Sequence, residues 1–292
     1  MRRTCMTAVL FTFLTFCSMA FGADLPWEMK LPFKEATIHY ELKGSQQGSE
    51  TLYVKEYGKL RAKHHKASST IMGRTTASDT LELIDPDWVT TYNLTQKTGE
   101  KFTNPNKLYL AEYSKFNSEE KMNFEKNAKE YGASMMGNFG GSVKQSSAKI
   151  LGYDCDVATM GGMSTVYIMH GSGIPLRSEV AVMGMANTVN ATQVDTSSAV
   201  PGSAFTPPVG ITATVNQEME TMMAGNIQRT MQTLKRPDGV EAMKKSNPML
   251  PAGVMPSSGD DENNPMDKEE QQQMMKNMQE AMKRMQQMKP RQ

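Results

Sequence analysis

The stretch from Tyr153 to Gly184 constrains the fold more than any other part of the chain, because it predicts three consecutive antiparallel strands. Glycines interrupt the alternation of apolar and polar residues at 161–162 and again at 171–173, a spacing typical of tight turns between strands. One set of alternating residues in the first strand is mostly apolar: Tyr153, Cys155, Val157 and Thr159. Asp154 and Asp156 alternate with them, so we expect one buried face and one face in water.

The first 22 residues have the parts of a secretory signal peptide. Arg2 and Arg3 supply positive charge, an apolar segment follows over residues 8–16, and small residues stand at 20 and 22. The apolar segment is too short for a membrane-spanning helix, which needs roughly 20 residues. We therefore expect cleavage after Gly22 and a periplasmic protein.

Removal of residues 1–22 would leave Cys155 as the single cysteine of the mature chain. An internal disulfide bond is then impossible. A lone thiol in an oxidising compartment is either buried or available for an intermolecular disulfide bond. The alternation of Cys155 with Tyr153 and Val157 favours burial.

Composition divides the chain into a β-rich body over residues 31–215 and a Met-rich tail. The net charge of +1 gives no support for nucleic-acid binding, which usually requires a strongly basic balance. In the tail, residues 216–236 have the periodicity of an amphipathic helix. Residues 237–265 are rich in Pro, Ser, Asn and Gly and predict a disordered linker, and residues 266–289 predict a second, Met-rich amphipathic helix.

Within the body, strand patterns begin at Glu35 and are interrupted by one helix. Asn117 and Glu120 have the spacing of a capping box, which predicts a helix from Ser118 to Tyr131 that packs over one face of the sheet. Gly132 is expected to end this helix, and a mobile flap is expected over residues 132–141. His64 and His65 are adjacent in a segment interpreted as a solvated basic strand edge. Their side chains point to opposite faces there and cannot easily share a metal ion, which favours this interpretation over a metal site.

Several of these segments together resemble a known superfamily. They are residues 152–157 (GYDCDV), 165–168 (TVYI), 173–176 (GIPL) and 205–210 (FTPPVG). In this order, with the interrupting helix, the chain over about residues 35–212 resembles the bacterial lipoprotein carrier and outer-membrane lipoprotein-sorting superfamily, and more narrowly an uncharacterised periplasmic branch of it. The resemblance implies a mainly β, α+β fold: a curved antiparallel sheet, or unclosed β-barrel, with helices covering its concave side and an apolar cavity between them.

None of these motifs contains a ligand-contacting residue that can be carried over from the carriers to this chain. Candidate cavity residues therefore follow from alternation alone. The pattern offers four aromatic side chains as ligand-binding candidates: Tyr40, Trp88, Tyr92 and Tyr167. The alternative is that all four are ordinary core aromatics.

Three classes of function are consistent with the sequence. The first is a non-enzymatic carrier or binding protein for an apolar, lipid-like ligand, with no cofactor. The second is a copper-handling protein, because Met275, Met278, Met282 and Met285 could offer thioethers to Cu(I). The third is an envelope assembly protein in which the same Met stripe contacts a partner helix, a membrane surface or a second copy. No His or Cys follows His170, which favours the apolar stripe over copper. An enzyme is not expected, because the sequence has no phosphate-binding loop, nucleophile elbow or metal-ligand cluster.

Overall fold

One mixed sheet of twelve strands dominates the protein, seen in a computed structural model that describes residues 31–71, 74–138, 140–182 and 185–246. The strands are β1 (Ala36–Gly44), β2 (Gln46–Lys55), β3 (Leu60–Ile71), β4 (Arg74–Ile84), β5 (Trp88–Asn93), β6 (Thr98–Thr103), β7 (Ser142–Ile150), β8 (Tyr153–Met160), β9 (Ser164–Met169), β10 (Pro175–Val182), β11 (Met185–Asp195) and β12 (Ala213–Val215). The predicted mainly β fold with an unclosed sheet is confirmed. β8, β9 and β10 are the three strands predicted from the alternation.

The strand order is β12-β6-β5-β4-β3-β2-β1-β11-β10-β9-β8-β7. Every pairing is antiparallel except that of β12 with β6. β1 lies between β2 and β11, so it joins the two halves of the chain into one sheet. Residues 196–212 connect β11 to β12 and contain a 3-10 turn at Gly202–Phe205, whose Phe205 ring lies 5.8 Å from the Lys55 ammonium.

In the described ranges, four α-helices accompany the sheet: α1 (Pro105–Tyr113), α2 (Ser118–Asn138), α3 (Gln217–Leu234) and α4 (Gly239–Ser246). The predicted capping box is confirmed, because the Asn117 side chain accepts from the Glu120 N–H and the Glu120 carboxylate accepts from the Asn117 N–H. Gly132, however, does not end α2. A Cβ at Gly132 would meet no atom within 4 Å, so this glycine sits in an open stretch of helix surface. The predicted flap is therefore mostly helix.

The described apolar core has two clusters, one on the sheet and one among the helices. The sheet cluster contains Leu31, Ile38, Tyr40, Val54, Cys155, Met169, Ile174, Leu176 and Ala191. The helical cluster contains Tyr113, Phe116, Phe124, Ile227, Met231, Leu234 and Met243. We expected α2 to pack over a face of the sheet, but its buried Phe124 belongs to the cluster that the helices form with one another. Cys155 is buried in the sheet cluster, as its alternation predicted.

The segment after Val215 is part of the same folded unit as the sheet. α3 confirms the amphipathic helix predicted over 216–236, and its first turn is fixed to β6 because the Glu220 carboxylate accepts from the N–H and Oγ1 of Thr103. α4 corrects the predicted linker, since residues 239–246 are helical and bury Val240 and Met243.

Several predictions fall outside the described residues: the signal peptide over 1–22, the rest of the linker over 247–265, and the Met-rich helix over 266–289. Within the described ranges, none of the helices combines the length and apolar character that a membrane crossing demands.

Candidate functional site

The four aromatic candidates lie in different parts of the sheet. Tyr40 is buried in the sheet cluster, and its hydroxyl donates to the Pro175 carbonyl at 3.0 Å. Tyr167 is half-buried beneath the Arg177 guanidinium, 5.5 Å from the ring centroid. Trp88 and Tyr92 are both on β5, where the Lys101 ammonium lies 4.4 Å from the Trp88 ring centroid.

The strand register places Tyr40 and the β5 aromatics on opposite faces. Directly paired residues of antiparallel strands share a face. Starting from Tyr40, the pairs run through Glu50, His65 and Thr80 to Asn93. Tyr92 and Trp88 therefore project from the other side, because neighbouring residues of a strand alternate.

Tyr167 is partly buried and packs against the sheet cluster that contains Tyr40, so it lies apart from Trp88 and Tyr92. The structure thus does not gather the four aromatics around one cavity, and ligand binding by them stays a prediction.

A pocket of about 420 Å³ is present in the described part of the chain, at the turn between β1 and β2. Its lining is Glu41, Leu42, Lys43, Gly44, Gln47 and Gly48. This pocket is polar and lies at a strand end, whereas the sequence led us to expect an apolar cavity between sheet and helix.

The face that carries Tyr40 has an unusual distribution of side chains, and we call it the inner face. On β1 and β2 it is apolar except for Glu50, with Ile38 and Val54 fully buried. On β3 and β4 it carries alternating ionisable groups: Arg61, Lys63, His65 and Glu82. Val54 pairs directly with Arg61, so the apolar and ionic halves of the inner face meet between β2 and β3.

Glu50 and His65 form the buried part of the ionic half. Their exposed fractions are 8% and 6%, and His65 Nδ1 lies 3.1 Å from Glu50 Oε2. The other ring nitrogen, Nε2, lies 3.1 Å from the Gln46 amide nitrogen. Tyr40 pairs with Glu50 across β1 and β2, so the two side chains share the inner face. Burial and the charge of Glu50 raise the pKa of the Tyr40 phenol. The phenol therefore stays neutral and acts as a hydrogen-bond donor.

Lys63 and Glu82 form the solvent-accessible part of the ionic half. Their charged atoms are 3.1 Å apart, and the side chains retain exposed fractions of 27% and 31%. Burial alone would lower the pKa of Lys63, but the Glu82 and Glu50 carboxylates outweigh it and raise that pKa. The Lys63 ammonium therefore stays protonated. Its site is partly enclosed by protein but still accessible to water.

Arg61 completes the ionic half. Its Nε donates to the Gly58 carbonyl at 3.1 Å. Burial lowers the pKa of Arg61, although the nearby Glu82 carboxylate partly opposes that effect. In the described ranges no carboxylate lies within 4.0 Å of its guanidinium, so its charge has no direct counter-ion there.

Other ionisable groups of the described residues do not form a comparable site. His64 and Asp79 make an exposed pair at 2.7 Å on the outer face, and His170 and Asp156 make another at 2.7 Å. Within the described ranges, no three His, Cys, Asp or Glu side chains come together as metal ligands. Burial raises the pKa of the Cys155 thiol, which lowers its reactivity. The four methionines suggested as Cu(I) ligands lie outside the described residues.

The ionic half was not predicted from the sequence, because residues 60–66 were expected to form a solvated strand edge. β3 is instead an interior strand, hydrogen-bonded to β2 on one side and β4 on the other, and its His65 is buried. The expectation that His64 and His65 point to opposite faces is confirmed, because they contact Asp79 and Glu50 respectively. A usable signal was the spacing of Arg61, Lys63 and His65 at every second residue, which places all three on one strand face.

No known family model matches the chain. No curated protein matches it either. Among solved structures, it is similar to an uncharacterised conserved protein from Thermus thermophilus, with 9% identity and a TM-score of 0.34, over 62% of this chain and 90% of that one. It is also similar to PNGF-II (12% identity, TM-score 0.31, 68% of this chain and 33% of that one) and to MucB (8%, 0.30, 62% and 60%). At these values the similarity assigns neither a family nor a function.

Proposed function

We propose that the chain is a non-enzymatic periplasmic binding or carrier protein for an apolar, lipid-like ligand, and that the ligand's apolar chain occupies the apolar half of the inner face. The observation that supports this most is how that half is covered. Leu31 and Phe33 come from a segment without regular secondary structure, yet Leu31 is only 2% exposed and Phe33 packs against the same cluster as Ile38 and Val54.

The covering segment is fixed to the sheet by backbone hydrogen bonds at the β2–β3 connection. The Leu31 N–H donates to the Tyr57 carbonyl at 3.2 Å, and the Tyr57 N–H donates to the Lys34 carbonyl at 3.0 Å. Irregular segments of this kind open more readily than paired strands. Displacement of Leu31 and Phe33 would expose a contiguous apolar surface beside the ionic half, and such a surface suits a lipid-like chain.

The resemblance of residues 35–212 to lipoprotein carriers suggests the same class of ligand, and the predicted signal peptide suggests the same compartment. An intact-mass measurement on the protein from separated periplasmic and cytoplasmic fractions tests the compartment. A mature chain that begins at residue 23 is expected, and a chain that keeps residues 1–22 in the cytoplasm would contradict the proposal.

A Phe33→Ala variant tests the binding proposal. Because the ligand no longer has to displace a ring, a fluorescent fatty-acid probe should bind several-fold more tightly to this variant than to the unaltered protein. Phe124→Ala in the helical cluster is the matched control, since it removes a buried ring from a different apolar cluster and should leave probe affinity unchanged. If no apolar probe binds either protein, the carrier proposal fails.

A further inference from the structure

The half-buried Arg61 on the inner face has a guanidinium that makes no ion pair within 4.0 Å among the described residues. Its Nε is used by the Gly58 carbonyl, and the two Nη groups donate to none of the described residues. A partly desolvated positive charge without a counter-ion is costly in a folded protein. Such a charge persists most readily where a ligand supplies the missing anion.

The surroundings of Arg61 indicate what kind of anion fits. Gly58 lies between Arg61 and Leu31, because a Cβ at Gly58 would stand 3.4 Å from Arg61 Nη2 and 3.2 Å from Leu31 Cγ. The guanidinium is therefore next to the place where the proposed ligand chain would enter. Lys63 follows two residues later on the same face and supplies a second charge that water reaches.

We infer that the ligand is an amphiphile with an anionic carboxylate or phosphate head group, which Arg61 binds with its two Nη groups while the apolar chain lies over β1 and β2. This inference rests on the proposed function and specifies its ligand class. A planar guanidinium matches the two oxygens of a carboxylate or phosphate, and such paired hydrogen bonds are among the strongest in proteins. Lys63 is already paired with the Glu82 carboxylate. Arg61 rather than Lys63 is therefore the residue that discriminates the head group.

Isothermal titration of the full mature protein with ligands of one chain length tests the inference. Dodecanoate and dodecyl phosphate should bind at least about 10-fold more tightly than dodecanol, because a charge-assisted hydrogen bond contributes that much or more. Acetate and inorganic phosphate, which lack the chain, should bind too weakly to detect.

Variants of two cations on β3 separate Arg61 from general charge effects. Arg61→Gln should remove the preference for the acids over dodecanol, and Arg61→Lys should keep part of it. Lys66→Gln is the control, because Lys66 is an exposed cation of the same strand on the outer face and its loss should leave the preference intact. The comparison of acids with dodecanol on the unaltered protein does not depend on any variant folding.

Each other outcome contradicts a defined part of the account. Equal affinity for dodecanol and dodecanoate would overturn the head-group inference and leave the carrier proposal standing. Tight binding of inorganic phosphate alone would show a site for a free anion rather than an amphiphile, and would also overturn the inference. Failure of all the chain-bearing ligands to bind would refute both proposals.

Discussion

Asn127 of α2 connects a helix of the predicted β-rich body to a helix of the predicted Met-rich tail. Its side chain is 4% exposed, and its amide group donates to the carbonyls of Leu234 and Arg236, at 2.8 and 2.7 Å. The Leu234 carbonyl lies at the end of α3, where no following helical turn supplies an N–H donor. Asn127 therefore stabilises the end of one helix from the side of another.

The Asn127→Ala change removes both hydrogen bonds, and each is worth roughly 1 kcal/mol net. It also leaves the Leu234 carbonyl without a partner in a buried position, which adds about 1 kcal/mol. We therefore expect the free energy of unfolding to fall by about 2–3 kcal/mol. For a domain of this size that corresponds to a decrease of roughly 4–12 °C in Tm.

Urea unfolding followed by far-UV circular dichroism and by tryptophan fluorescence measures this loss. Both probes should report one transition with a lower midpoint and an unchanged slope, because helices and sheet belong to one unit. Asn226→Ala is the matched control: Asn226 is exposed on α3, and its loss should change stability by no more than about 0.5 kcal/mol. A loss below about 0.5 kcal/mol for Asn127→Ala, or a helical transition separate from the fluorescence transition, would refute the reasoning.

Three further predictions concern the folded unit and its buried groups. A chain truncated after Val215 lacks α3 and α4, so it should lose protease resistance, whereas one truncated after Ser246 should keep it; equal resistance would show that the sheet folds without these helices. Burial and the hydrogen bond to Glu125 raise the pKa of Tyr113 from 10.0 to about 12. Because the pKa is higher in the folded state than in the unfolded state, stability should be intact below pH 10 and fall towards pH 12. Tyr113→Phe should reduce that loss. An ultraviolet titration in which this phenol ionises near its unfolded value would contradict the assignment. Cys155, which is 0% exposed, should react with a thiol reagent only on unfolding, so rapid labelling of the native protein would show that the strand is not buried.

Local sequence signals predicted the parts of this fold that depend on neighbouring residues. Gly161 and Gly162 have positive φ angles of 53° and 69°, a conformation that glycine adopts without strain, so the β8–β9 turn could be predicted from the chain. The capping box at Asn117 was equally visible, because its two partners are three residues apart.

Contacts between distant residues decided what the sequence could not show. The pairing of β1 with β11 joins residues about 150 positions apart, and no local pattern specifies it. Gly239 follows Pro237 and was expected to lie in a linker, but it packs closely on α3, where a Cβ would stand 2.7 Å from the Thr233 carbonyl. A segment of linker composition is thus held in a helix by its tertiary contacts.

The ionic half of the inner face could be predicted only in part. Alternation placed Arg61, Lys63 and His65 on one side of a strand, which the register confirms. The strand composition did not reveal that β3 would be interior, because its neighbours β2 and β4 bury His65 while leaving Lys63 in contact with water. Strand position within the sheet, rather than residue type, made this a candidate site.

Photo-cross-linking with a fatty acid that carries a diazirine in its chain tests the central proposal most directly. After irradiation of the full mature protein, peptide mass spectrometry locates the labelled residues. The account predicts labels on the inner face of β1 and β2, at positions such as Ile38 and Val54, and on the displaced Leu31–Phe33 segment, with competition by dodecanoate. Labels confined to the helical cluster around Met231, or to the outer-face aromatics Trp88 and Tyr92, would contradict it.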